Sequence, residues 1–304
     1  MTGTVTVGRF APSPTGELHL GNLRTALVAW LAVLTGGPGS KYLVRFEDLD
    51  RVTSSREIAA GQLRDLAAIG IVPAEEPVFQ SDRFGLYDRA IDDLIGRGLT
   101  YPCFCTRKEI QQAAQAPHGA VGRYPGTCRS LTPRERARKA MERPGATRLN
   151  AAATGLAGAD IAFQDRLAGS VGGGFVGAGA VSAPVDGLID GVVDDVVLRR
   201  NDGVPSYNVA VVVDDAAQGV TQVVRGDDLL PVTPTQVALQ RLFGLPTPEY
   251  FHVPLKMGPD GERLAKRHGA VTLSDLARDG VGAEQVRSQL LGEIAAFAPW
   301  LVRT

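Results

Sequence analysis

Arg9-Phe10-Ala11-Pro12-Ser13-Pro14-Thr15-Gly16, followed closely by His19-Leu20-Gly21-Asn22, is the stretch on which the fold turns. Before it, Val5 to Phe10 reads as a strand; after it, Leu23, Leu27, Trp30, Leu31 and Leu34 recur at helical spacing. A strand, a Pro/Gly-rich turn over Ala11–Gly21 and a helix start thus follow one another directly. Working outward, Tyr42–Phe46 predicts a second strand. Ser54-Ser55-Arg56-Glu57 has capping-box spacing and predicts the next helix start. Tyr87, Ile91, Leu94 and Ile95 mark a third helix, with Gly98 near its end. This alternation predicts a parallel α/β sheet with crossover helices. Ligands of such sheets lie beyond the carboxyl ends of the strands. A helix N-terminus there offers phosphate free N–H groups and a partial positive charge. His19 adds a donor, and Gly21 permits close approach to the backbone.

From about residue 101 the pattern changes. Cysteines are followed by a basic run (Arg134, Arg136, Arg138, Lys139, Arg143) and by Gly-rich sequence over 169–190, which reads as a mobile loop. Val196–Arg200 and Val204–Val213 flank Asn201-Asp202-Gly203, a hairpin signal. Val220–Val224 predicts another strand, and the last forty residues look helical. Gly36-Gly37-Pro38-Gly39-Ser40-Lys41 lacks the spacing of a phosphate loop and follows a helix, so it reads as a connection to the second strand.

Composition bounds the function. The 304 residues carry 32 Lys+Arg against 33 Asp+Glu, so any nucleic acid must be held by local patches rather than a basic coat. Three cysteines make no disulfide framework. With no signal peptide or membrane span in the sequence, a cytoplasmic, soluble protein without membrane partners is expected, as a monomer.

Residues 9–22 resemble the signature of class I aminoacyl-tRNA synthetases, in the Ala-Pro-Ser-Pro-Thr-Gly form of the glutamyl branch. His19 to Asn22 stands in the place of the class signature His-Ile-Gly-His, with Asn last. Arg263-Leu264-Ala265-Lys266-Arg267 resembles the family's Lys-Leu-Ser-Lys-Arg loop and keeps Lys266 at the key position. The resemblance implies ATP binding, with Mg2+, by His19, Gly21, Asn22 and Lys266; His19, Asn22 and Lys266 are the expected catalytic groups. It also implies glutamate contacts at Glu47, Tyr207 and Arg225. Free glutamate carries two carboxylates and one ammonium, and Arg9, Arg225 and Glu47 supply the complementary charges. Either arginine can take either carboxylate. Ser13 and the backbone around Phe10, Ala11 and Pro12 complete the expected pocket. Asp48 and Asp50, beside Glu47, read equally well as a solvated turn.

Cys103, Cys105 and Cys128 offer three thiolates to Zn2+, which takes four ligands. Spacing alone points to His118 as the fourth. The family resemblance, in its glutamyl-queuosine branch, places Tyr124 there instead, and the zinc is read as a structural clip. The resemblance covers about residues 5–275, after which the chain ends too soon for the helical anticodon-reading domain of an ordinary glutamyl-tRNA synthetase. It therefore implies the glutamyl-queuosine branch: tRNA-independent glutamate activation, then transfer to queuosine in the anticodon stem-loop of tRNA(Asp). The alternatives are a short glutamyl-tRNA synthetase core charging the tRNA 3′ end, and a non-catalytic RNA- or zinc-binding paralogue. The basic run 134–143 is either a grip on the RNA backbone or an exposed helix with internal ion pairs. The expected fold is Rossmann-like α/β, a doubly wound parallel sheet with an inserted zinc-containing α+β subdomain and a helical C-terminal segment. Its divisions are two catalytic halves over 1–100 and 191–257, the insertion over 101–190, and the Lys-bearing mobile loop with C-terminal helices over 258–304.

Overall fold

The computed structural model describes residues 4–114, 124–156, 161–167, 188–189, 193–256 and 271–303. Strand β1 (Val7–Phe10) leads through the Pro-rich turn into helix α1 (Leu20–Leu34), then β2 (Lys41–Phe46), α2 (Arg56–Ala68), β3 (Val78–Phe79) and α3 (Phe84–Gly96). The chain then builds β4 (Thr100–Cys103), α4 (Arg107–Ala114), α5 (Pro133–Glu142), β5 (Ala146–Leu149), α6 (Ala151–Thr154), β6 (Phe163–Gln164), β7 (Leu188–Ile189) and β8 (Val197–Arg199). It closes with α7 (Tyr207–Ala217), β9 (Gln222–Gly226), α8 (Thr233–Phe243), β10 (Glu249–Val253), α9 (Leu273–Arg278), α10 (Ala283–Phe297) and α11 (Pro299–Val302).

The main sheet has the order β10-β9-β1-β2-β3 and every pairing in it is parallel. The first crossovers run from β1 outward through β2 to β3. After the excursion through β4–β8 the chain returns on the other side of β1, to β9 and then β10. The carboxyl ends of β1 and β9 thus lie side by side where the winding reverses, the place where such sheets open a crevice.

Strand side chains alternate between two cores. Phe10, Val44, Phe46, Val224, Phe251 and Val253 pack with α1, α2 and α10 through Leu23, Leu27, Leu66, Leu290 and Ile294. Val223 and Tyr250 face the other side, against α3, α7 and α8 through Tyr87, Ile91, Val209 and Val237. Each fully buried aliphatic side chain of this kind contributes roughly 1.5–3 kcal/mol. Gly8 on β1 lets α1 settle on the sheet: a Cβ there would stand 2.5 Å from Val33 Cγ2.

Two local expectations need correction. The segment Val204–Val213 is not the second arm of a hairpin. Pairing across the turn stops after the Arg199–Pro205 bridge, with Arg200 N donating to Val204 O and Ser206 N to Leu198 O, and Tyr207 onward is helix α7. Val209 to Val212 are all buried, so α7 has apolar neighbours around most of its girth. Its run of valines then carries neither the strand nor the helix period. The cap of α2 falls on Ser55, whose Oγ accepts from the N–H groups of Glu57 and Ile58, one residue later than a Ser54–Glu57 box. The 36–41 stretch is a loop into β2, with Ser40 Oγ accepting from Thr6 N at 2.9 Å. Among the described residues no helix is long and apolar enough to cross a membrane.

Candidate active site

The loop after β1 is held by its own neighbours. Glu47 N donates to Pro12 O at 3.0 Å, Ser55 N to Pro14 O at 3.0 Å, and the buried Gln62 amide to Ser13 O and Gly16 O. It delivers the chain to His19, the N-cap of α1. His19 Nδ1 accepts from Gly21 N at 3.1 Å and Asn22 N at 3.3 Å, while Asn22 Oδ1 accepts from His19 N. This reciprocal cap fixes the neutral imidazole with its proton on Nε2, and it leaves the Asn22 NH2 as that side chain's donor. Gly21 has a second reason to be glycine: a Cβ would sit 2.9 Å from His19 Cε1 and displace the ring.

A cleft of about 650 Å3 opens here, lined by Arg9, Phe10, Ala11, Pro12, Ser13, His19, Gly21, Asn22, Glu47, Tyr207 and Arg225. These are the sequence-derived candidates for the nucleotide and amino-acid sites, apart from Lys266, gathered in one crevice at the switch point. Arg24 and Lys256 also line it. Glu293 of α10 accepts from Lys256 Nζ at 2.5 Å and from Arg24 Nη1 at 3.4 Å, and Arg24 also donates to Pro254 O.

At the other end is a buried charge cluster. Asp215 of α7 pairs with Arg9 (Nε 3.2 Å) and Arg45 (Nη1 2.7 Å). Arg45 Nη2 lies 3.5 Å from Glu47 Oε1. Asp214 accepts from Arg83 Nε at 2.6 Å and from Tyr87 OH at 2.7 Å. Burial works against the Asp215 carboxylate, but Arg9 and Arg45 outweigh it and hold its pKa below the ordinary carboxylate value. Burial pushes the Glu47 carboxyl the other way, above its ordinary value, against the pull of Arg45 and Arg9. Glu47 Oε1 is buried and faces Arg45 Nη2 at ion-pair distance, with no closer hydrogen bond. Asp48 is structural, accepting from Ser81 N and Oγ, and Asp50 is an exposed turn cap.

Arg225 is fixed on all three nitrogens: Nε donates to His252 Nε2 at 3.1 Å, Nη1 to Gln236 Oε1 at 2.7 Å and Nη2 to Thr233 Oγ1 at 2.6 Å. His252 is 1% exposed, and its Nδ1 is hydrogen-bonded to Asp165 Oδ2. Burial lowers its pKa from 6.5 to about 4, against Asp165. The unfolded chain takes up this proton below 6.5 while the fold resists it. The contribution of His252 to stability is therefore complete above pH 6.5 and shrinks as pH falls toward 4. Urea unfolding at pH 7 and pH 5 should show a loss of up to about 2 kcal/mol from this group. That part of the loss should vanish in His252→Gln.

Away from the cleft, Cys103, Cys105 and Cys128 bring their sulfurs within 4.8 Å of one another. Tyr124 Oη lies 3.2 Å from Cys103 Sγ and 3.5 Å from Cys105 Sγ, and Cys105 and Cys128 are 3.5 Å apart. Asp194 accepts from Tyr124 N, and the Arg148 guanidinium stacks 3.9 Å over the ring, fixing its place. A tetrahedral zinc with Zn–S about 2.3 Å and Zn–O about 2.0 Å needs edges of roughly 3.5–3.8 Å. The separations Cys103–Tyr124, Cys105–Tyr124 and Cys105–Cys128 of 3.2, 3.5 and 3.5 Å lie close to that range, so donors of this chemistry suit that ion. The basic run lies on and just after α5, a surface helix with a Thr132–Glu135 capping box. Arg138 pairs with Glu142 and Arg143 with Glu109. Lys266, His118 and all but 188–189 of the Gly-rich run lie outside the described residues.

Sequence reasoning passed over Arg24, Arg45, Asp214, Asp215, Lys256 and His252. A signal existed for some of them. Asp214-Asp215 ends an apolar helical run, and Arg45 sits inside the apolar strand Tyr42–Phe46. Charges in such positions are buried only when paired.

The chain and its fold match a known class. The family model for tRNA synthetases class I (E and Q), catalytic domain, matches residues 4–291, and the chain belongs to that family. Within it, the chain is 54% identical to a glutamyl-Q tRNA(Asp) synthetase of Nocardia farcinica, over 93% of this chain and 83% of that protein. It is 43% identical to another from Symbiobacterium thermophilum, over 93% and 84% respectively. Among solved structures it resembles a glutamate tRNA ligase from Elizabethkingia meningosepticum in complex with its amino acid, with TM-score 0.69 and 29% identity. That match covers 88% of this chain but only 52% of the ligase, so the chain spans about half the length of that structure.

Proposed function

We propose that the chain is a ligase-type enzyme that activates L-glutamate with ATP, without tRNA in that step, and transfers the glutamyl group to queuosine at the wobble position of tRNA(Asp). The observation that carries this reading is the charge layout of one cleft. Buried Arg9 and Arg225 with Glu47 form one charged group in its lining; the N-terminus of α1 with His19, Arg24 and Lys256 forms another. The first group complements the two carboxylates and the ammonium of glutamate, and the second complements phosphates arriving as MgATP. Glu47 supplies the carboxylate for the ammonium, while Tyr207, Ser13 and the Phe10–Pro12 backbone wall the pocket.

In this reading a glutamate α-carboxylate oxygen attacks the α-phosphorus. The bond to the β-phosphate oxygen breaks, and pyrophosphate leaves with the electron pair. His19 Nε2–H, the α1 N-terminus, the Asn22 amide and Lys266 stabilise the developing charge. A queuosine hydroxyl then attacks the carbonyl of the mixed anhydride, AMP leaves, and the hydroxyl proton passes to solvent. Catalysis is mainly positioning and electrostatics. The basic run 134–143 contributes to holding the anticodon stem-loop. Cellular ATP and tRNA place the reaction in the cytoplasm.

The fold is correspondingly read as Rossmann-like and doubly wound, with catalytic halves over 1–100 and 191–257 and a zinc-bearing insertion over 101–190. Cys103, Cys105, Cys128 and Tyr124 would hold the zinc, which would supply a cross-link between β4 and the turn at 124–130. Cys105→Ser should lower the bound zinc measured by atomic emission well below the wild-type one per chain. A wild-type protein purified in zinc-containing medium that carries no zinc would remove the ion from this account.

The test is ATP–pyrophosphate exchange with glutamate and no tRNA, followed by transfer of labelled glutamate. Label on queuosine-containing tRNA(Asp) and none on unmodified tRNA(Asp) is the expected result. Label on the 3′ ribose would make the chain a tRNA-charging enzyme, and absence of exchange would leave a non-catalytic paralogue. Gly21→Ala should raise the ATP KM of exchange about tenfold or more, because the displaced imidazole loses its cap. Unchanged ATP kinetics would remove the His19 cap from nucleotide binding.

A further inference from the structure

Arg225 is held by three neutral groups, and only one of them has a charge behind it. Thr233 passes its own proton to Leu229 O at 3.0 Å, and the Gln236 amide donates to Asn208 Oδ1 at 3.0 Å. His252, by contrast, is bonded through Nδ1 to the buried Asp165 carboxylate. The tautomer follows from the partners. Arg225 Nε is only a donor, so the imidazole nitrogen facing it must be the acceptor. The proton then resides on Nδ1, where an ionised carboxylate accepts it. The opposite tautomer would set two N–H groups against each other across 3.1 Å and present a lone pair to Asp165.

Asp165 is itself built in. Its Oδ1 accepts from Leu167 N at 2.9 Å, Arg166 N donates to Tyr250 O at 2.9 Å, and residue 165 bridges Tyr250 in parallel alongside β10. The His252 ring stacks on Tyr250 at 5.9 Å, and the Arg225 guanidinium lies 5.2 Å from the same Tyr250 ring. With Nε committed, Nη1 and Nη2 each keep one hydrogen beyond those bonded to Gln236 and Thr233, available to a carboxylate.

We propose that Asp165 and His252 form a positioning dyad that sets the orientation of Arg225 for a glutamate carboxylate, so that the segment 161–167 helps select the amino acid without touching it. The dyad rests on the reading of this cleft as the glutamate site. Neither residue meets the substrate, and both act through Arg225.

The experiment uses the full chain in tRNA-free exchange with Asp165→Asn, His252→Phe and His252→Gln. Asp165→Asn and His252→Phe should raise the glutamate KM by about 10- to 100-fold, the effect of one charge-assisted hydrogen bond, with the ATP KM unchanged and kcat within about threefold. His252→Gln should recover part of the loss, because its side-chain oxygen can accept from Arg225 Nε. Equal changes in both KM values, or an unchanged glutamate KM in folded variants, would overturn the dyad. The imidazole 15N shifts, assigned by difference from His252→Gln, read the tautomer independently of activity. At pH 7 a protonated Nδ1 and bare Nε2 are expected, and a protonated Nε2 would overturn the proposal. Wild-type protein with that spectrum but no glutamate-dependent exchange would sink the glutamate reading while the dyad's geometry stood.

Discussion

Arg225→Leu should raise the glutamate KM of ATP–pyrophosphate exchange by on the order of 10²- to 10³-fold, with little change in the ATP KM. Removing one member of a buried, hydrogen-bonded charge pair typically costs about 2–5 kcal/mol, and each 1.4 kcal/mol is tenfold. The loss has two sources. The substrate carboxylate loses its bidentate partner, and His252, Gln236 and Thr233 lose the donor they share. Arg225→Lys should recover little, because an ammonium cannot satisfy three acceptors in the fixed directions of a guanidinium. Steady-state exchange over a glutamate titration reads both variants. A leucine variant with near wild-type glutamate dependence would take Arg225 out of the pocket.

Asp215→Asn should be the most destabilising single-atom exchange in the site. It leaves Arg9, 2% exposed, and Arg45, 0% exposed, without the carboxylate that both grip. Breaking a buried pair by removing one partner costs about 3–5 kcal/mol. For a chain of this size that is a fall in Tm of roughly 6–15 °C. Because the Asp215 pKa is held below its ordinary value, its contribution is full above about pH 4 and is lost only as pH falls through the lowered pKa. The gap between wild type and Asp215→Asn, measured by thermal unfolding, should therefore be wide at pH 7 and narrow in strong acid. Equal Tm values at pH 7 would show that Arg9 and Arg45 are not held from α7. The glutamate KM should rise as well, since Arg9 loses its anchor.

Much of the cleft was legible because its decisive stretch is local. The 9–22 loop carries its own strand end, turn residues and helix cap, so sequence neighbours are also neighbours in space. The cysteine cluster was legible for a similar reason: β4 and the turn at 124–130 present donors whose chemistry is specific. What was not legible came from distance along the chain. Lys256 meets Glu293 across 37 residues, Arg45 meets Asp215 across 170, and His252 meets Asp165 across 87. Only the sheet register and helix packing bring those pairs together. The Val204–Val213 segment failed for a different reason. A helix buried around most of its surface has no polar stripe, and a valine-rich run then looks like a strand.

The alternation of side chains across the sheet gives the crevice two separate foundations. His19, Arg24 and Glu293 stand on the layer of α1 and α10. Arg9, Arg45 and Arg225 project from the strands toward the layer of α7 and α8, where Asp215, Thr233 and Gln236 await them. In the proposed reading, nucleotide chemistry and metabolite choice therefore rest on different layers: substitutions beneath one floor would retune which acid is admitted while the adenylating apparatus above the other stays intact.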